Sequence, residues 1–118
     1  MSLPNNKETF DLFCAIDAIP PENREAHLAN AHRLFRQDYL EMEELPDGYA
    51  FKFAGESYEA LAQYIALERL CCGFFNFDLK ISANQGPIWL HIHGSEQIKD
   101  FLAAEIQTPK GLVDSYTG

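Results

Sequence analysis

The stretch from Tyr39 to Ala54 most constrains the fold. Tyr39–Leu45 (YLEMEEL) alternates apolar and polar residues, and Tyr49–Ala54 (YAFKFA) alternates back with Phe51 and Phe53 on one face. Between them stand Pro46, Asp47 and Gly48. Proline pre-sets φ for a turn and glycine supplies positive φ, so the segment predicts a β-hairpin. The second half repeats the pattern. Phe74–Ala83 places Phe75, Phe77, Leu79 and Ile81 on one face, Asn84–Pro87 turns the chain, and Ile88–His93 returns. In that last strand Ile88, Leu90 and Ile92 face one side, and Trp89, His91 and His93 the other.

Helical periodicity fills the gaps. A first helix is expected from Pro21 to Gln37, with proline at its start, Glu22 and Glu25 in the first turn, and Leu28, Ala31, Leu34 and Phe35 as its apolar stripe. A second runs from Ser57, a capping residue, to Cys72, with Gly73 ending it, and a third from a Ser95 cap to Ile106. Phe10–Ile19 reads as an opening strand that Pro20-Pro21 stops. The expected order is β-α-β-β-α-β-β-α: an α+β fold with a five-stranded, mostly antiparallel sheet and three helices on one face, its core ferredoxin-like. Residues 1–9 are expected to be frayed and 108–118 loose, around one domain at 10–107.

Charge excludes some partners. Lys plus Arg number 9 against 18 Asp plus Glu, a net charge of −9 in 118 residues. Such a chain repels phosphate backbones and anionic lipid, so neither nucleic acid nor membrane is expected as a partner. No basic-then-apolar leader opens the sequence, and three cysteines, an odd number, fit a reducing cytoplasm. Cys71 and Cys72 are adjacent; Cα atoms about 3.8 Å apart are too close for a relaxed disulfide between them. Free thiols or metal ligands are expected.

The end of the second helix carries the chemistry. An α-helix turns about 100° per residue, so from Tyr58 at 0° Leu61 falls at about 300°, Ile65 at about 340°, Glu68 at about 280°, Cys71 at about 220° and Cys72 at about 320°. Glu68 therefore shares a face with both thiols and borders the apolar stripe. A buried carboxylate needs a partner or a proton; without an ion, a neighbour of Arg69, or Arg33 or Arg36 of the first helix, could pair with it. Cys14, Glu68, Cys71 and Cys72 are the candidate metal ligands, and thiolates favour zinc or copper(I). Adjacent cysteines chelate one ion poorly, and a free cysteine also packs well as a small hydrophobe. Thiol catalysis is disfavoured, because the C-terminal end of a helix raises a thiol pKa.

A second constellation lies on the opposite sheet face. Asp78, Trp89, His91 and His93 share it and are ligand or interface candidates. Lying on opposite faces, the cysteines and these histidines are not expected to share one metal site. His27 and His32, five apart on the first helix, read as surface residues.

Glu68-x-x-Cys71-Cys72-x-Phe74-Phe75-x-Phe77-x-Leu79 resembles a signature of small uncharacterised bacterial proteins. Cys14, the turn Leu45–Tyr49 and a closing helix Ile98–Glu105 belong to the same resemblance, with Gly73 where that pattern has proline. It implies no established activity and no catalytic residues. The function expected is a small cytoplasmic, thiol-based binding protein for a soft metal or metalloid ion. The alternative is a non-enzymatic, homodimeric interaction domain with structural cysteines. An enzyme using His91 or His93 as a base beside Asp78 ranks behind both.

Overall fold

The computed structural model describes residues 16–107. The expected strand residues 10–15, the frayed segment 1–9 and the tail 108–118 lie outside the described residues. From Ile16 to Ala18 the chain makes a 3-10 turn rather than a strand. The reason is local. Arg24 donates from Nε to the Ile19 carbonyl at 2.8 Å and from Nη2 to the Asp17 carbonyl at 3.2 Å, so backbone groups that a strand would use are bound to the following helix.

Helix α1 spans Pro21–Arg33. It continues as a π turn, Leu34–Asp38, closed by Tyr39 N–H donating to the Leu34 carbonyl at 3.2 Å. The turn lets both Leu34 and Phe35 enter the core. Strands β1 (Glu41–Leu45) and β2 (Gly48–Phe53) form the expected hairpin. A 3-10 turn, Gly55–Ser57, leads into α2 (Tyr58–Cys71), and Ser57 makes no side-chain cap, contrary to expectation. Strands β3 (Asn76–Ile81) and β4 (Ile88–His93) make the second hairpin, and α3 spans Glu96–Gln107. Ser95 does cap α3, its Oγ accepting from Ile98 N–H at 3.4 Å.

The fold is α+β, with three α-helices and a four-stranded antiparallel sheet among the described residues, in the order β1-β2-β4-β3. That order corrects the ferredoxin-like expectation. In a ferredoxin-like core the opening strand would lie beside β2, but β4 occupies that edge, with Phe51 opposite Leu90 and Phe53 opposite Ile88. β1 and β3 are left as the edges.

The register sorts the two faces. Phe51, Phe53, Ile88, Leu90 and Ile92 join Ala31, Leu34 and Phe35 of α1, Leu61 and Tyr64 of α2, and Ile98 and Leu102 of α3 in one buried cluster. All three helices therefore serve the same side. The other face carries Glu41, Lys52, Trp89 and Lys80 in one row, and Glu43, Ala50, His91 and Asp78 in the next.

Candidate metal centre

The buried site forms where α1 crosses the last turns of α2. Asn30 of α1 holds the two helices together, its side-chain amide donating to the Ala60 carbonyl at 2.9 Å. One helical turn earlier, His27 reaches Glu68. Its Nε2 lies 3.0 Å from Glu68 Oε1, and both residues are 1% exposed. His27 also stacks on Tyr64, with ring centroids 5.6 Å apart and planes at 18°, and Phe35 leans on Tyr64 from the core. The imidazole is thus fixed in plane as well as in position.

Cys71 completes the group. Three residues after Glu68 on the same helix, its Sγ lies 3.9 Å from Glu68 Oε1 and 3.8 Å from Cys72 Sγ. Burial, followed by the neighbouring Glu68 charge, pushes the Cys71 thiol up to about 12. It is therefore a thiol at neutral pH and not a nucleophile in its own right. Cys72 is disulfide-bonded, whereas Cys71 is free. That corrects the expectation of free thiols throughout, and in this state the Cys72 sulfur has no lone thiolate to offer a metal.

Of the four expected ligands, Glu68, Cys71 and Cys72 lie together; Cys14 lies outside the described residues. The structure adds His27, which the sequence reading left on the surface. His27 meets Glu68, a partner that the helical spacing alone did not point to. A signal for the burial of His27 existed: His27, Ala31 and Leu34 recur at i, i+4 and i+7, which is one helical stripe. Ligand atoms of His27, Glu68 and Cys71 all fall within 4.8 Å of one another.

The second constellation is also assembled. His91 and His93 stack with centroids 4.2 Å apart on the open sheet face. Asp78 Oδ2 lies 2.8 Å from His93 Nε2, and Trp89 stands one row along the same strand. Asp47, missed from sequence because it reads as a turn residue, reaches both rings, with Oδ1 3.0 Å from His91 Nε2 and Oδ2 3.3 Å from His93 Nδ1. The sequence carries no signal for it, since only the β2–β4 register sets Gly48 opposite His93 and brings the turn to the histidines. Cys71 and Cys72 lie on the helical side of the sheet and these histidines on the other, as expected.

Among the described residues no helix is long and apolar enough to cross a membrane. No protein-family model, no curated protein and no solved structure matches the chain.

Proposed function

We propose that the chain is a small metal-binding protein that holds one divalent, thiophilic ion of the zinc class between α1 and α2, through His27 Nε2, Glu68 and Cys71 Sγ. The observation that carries the reading is the convergence of three different ligand types, buried and within 4.8 Å of one another, on two packed helices. Charge supports it. A buried ion must be neutralised, and one carboxylate, one thiolate and one neutral imidazole cancel a 2+ charge. Binding would release the Cys71 proton and shift His27 to its Nδ1–H tautomer.

The donor set narrows the ion. One sulfur, one nitrogen and one oxygen suit zinc better than copper(I) or a metalloid, which favour several thiolates. Cys72 would join in a reducing cytoplasm. Its Sγ, 3.8 Å from that of Cys71, matches the ~3.8 Å between two thiolates on one tetrahedral zinc with Zn–S near 2.3 Å. The pattern Glu68-x-x-Cys71-Cys72, which resembles a signature of small bacterial proteins, is on this reading a ligand set.

The test is metal content by mass spectrometry on untagged protein purified anaerobically, followed by cobalt(II) exchange. Near-stoichiometric metal with a sulfur-to-cobalt absorption band, weakened in Cys71→Ser and lost when Cys72→Ser is added, supports the site. Absence of the band, with thiols that react only after unfolding, overturns it and favours structural cysteines. The competing homodimer reading draws on Leu40, Met42 and Ile81, apolar and exposed along the sheet edges; light scattering at monomer mass removes it.

A further inference from the structure

We infer a second, chemically different cation site on the open sheet face, formed by Asp47, His91 and His93 with Asp78 beside them, for a divalent transition ion that takes nitrogen and oxygen ligands.

The geometry is that of cis ligands around one ion. Metal–nitrogen and metal–oxygen bonds of about 2.1 Å set cis neighbours about 3.0 Å apart in an octahedron and about 3.4 Å apart in a tetrahedron. Asp47 Oδ1 to His91 Nε2 is 3.0 Å, and Asp47 Oδ2 to His93 Nδ1 is 3.3 Å. One ligand atom from each of the three residues falls within 4.8 Å of the others. Asp78 Oδ2 lies 2.8 Å from His93 Nε2 and 3.7 Å from His91 Nδ1. It meets the His93 ring nitrogen that Asp47 leaves, the place of a carboxylate that orients a metal-bound imidazole.

The backbone presets this arrangement. Alternation puts His91 and His93 on one face, two residues apart, and their rings stack. The β1–β2 turn is pinned beside them, because Gly94 N–H donates to the Asp47 carbonyl at 3.0 Å and Gly48 pairs with His93. Two imidazoles and two carboxylates gather in a chain of net charge −9, which favours a cation. Two histidines and one carboxylate leave coordination positions to solvent, as in sites that bind a further ligand. A shallow groove of about 380 Å³ lined by Glu43, Asp78, Lys80, Trp89 and His91 adjoins those positions. The buried site offers sulfur and no solvent-facing position, so the two differ in both donor and access.

Zinc titration followed by calorimetry on untagged, full-length Cys71→Ser protein tests this with the buried thiol removed. About one equivalent should still bind, and His91→Gln with His93→Gln should weaken it at least about tenfold while circular dichroism stays unchanged. Asp47→Asn should weaken it as well. Cobalt(II) should give d–d absorption without a sulfur band in the Cys71→Ser protein kept oxidised, where Cys72 stays in its disulfide. No zinc uptake by Cys71→Ser, or equal uptake after both histidines are replaced, overturns the site. Should the double variant lose its fold, nuclear magnetic resonance of the Cys71→Ser protein decides instead. Zinc must then shift the His91 and His93 ring signals, and unmoved rings overturn the site. A failure of the buried site alone would read differently: no sulfur band in the unmodified protein, with the histidine signals still shifting.

Discussion

His27 Nε2 and Glu68 Oε1 meet at 3.0 Å in the closed interior, across 41 residues of chain. The pair joins α1 to α2 through a buried hydrogen bond, and both residues are 1% exposed. His27→Ala should therefore cost about 3–5 kcal/mol, the usual penalty for stripping one partner from a buried polar pair. Urea denaturation read by circular dichroism measures it. A loss under about 1 kcal/mol would show that the pair is solvated in practice.

Cys71 makes the stability depend on alkaline pH. Its pKa rises on folding from 9.0 to about 12, first through burial and then through Glu68. The neutral thiol is the form the folded state prefers. Its contribution is complete below the unfolded pKa and is lost as pH climbs towards 12. Melting temperature should fall between about pH 9 and 12 more steeply in the native sequence than in Cys71→Ala. Parallel curves for the two proteins would contradict the assignment.

Reduction should tighten the buried site. With Cys72 held in a disulfide the cluster offers one sulfur, and with it free two sulfurs 3.8 Å apart. Zinc affinity measured by chelator competition should rise at least about tenfold on treatment with a phosphine reductant, the least expected from gaining a ligand. Equal affinity in both states would limit the site to His27, Glu68 and Cys71.

Gly48 is required by the close approach of β2 to β4. A Cβ there would run into the Ile92 carbonyl oxygen and sit 2.8 Å from His93 Cα. Gly48→Ala should cost about 1–3 kcal/mol by overpacking. It should also displace His93, so thermal shift and zinc binding at the open face should fall together.

The β3–β4 turn leaves room for improvement. Asn84 and Gln85 sit at φ 59° and 58°, and Gly86 N–H closes onto the Ala83 carbonyl at 3.0 Å. Two successive positive φ values mark a type I′ turn, where Asn-Gly is preferred. Gln85→Gly should stabilise the protein by about 1 kcal/mol, by relieving the left-handed strain on a side chain. An unchanged melting temperature would show that the turn bears no such strain.

How far these features could be read from sequence follows a physical divide. Local patterns were sufficient for both hairpins: Ile88–His93 is bounded as its alternation implies, and Ser95 caps α3. The face shared by Glu68 and Cys71 also followed from helical spacing. Partners on other elements did not. His27 looked like a surface residue because its own helix gives no hint that α2 crosses it with a carboxylate. The β2–β4 pairing depends on which edge the second hairpin finds after α2, a choice that alternation leaves open. Residues 16–18 failed for a different reason, since a side chain, Arg24, competes for the backbone carbonyls around them.

The order β1-β2-β4-β3 also governs how copies of the chain meet in concentrated solution. Among the described residues, β1 and β3 are the edge strands, and each is short. Glu41, Glu43 and Glu44 crowd the first, while Asp78 and Lys80 punctuate the second. Adding a strand to the glutamate-rich edge from an identical copy would bring like charges together without water between them. The sheet is thus protected against open-ended stacking into fibrils by the charges on its own rims.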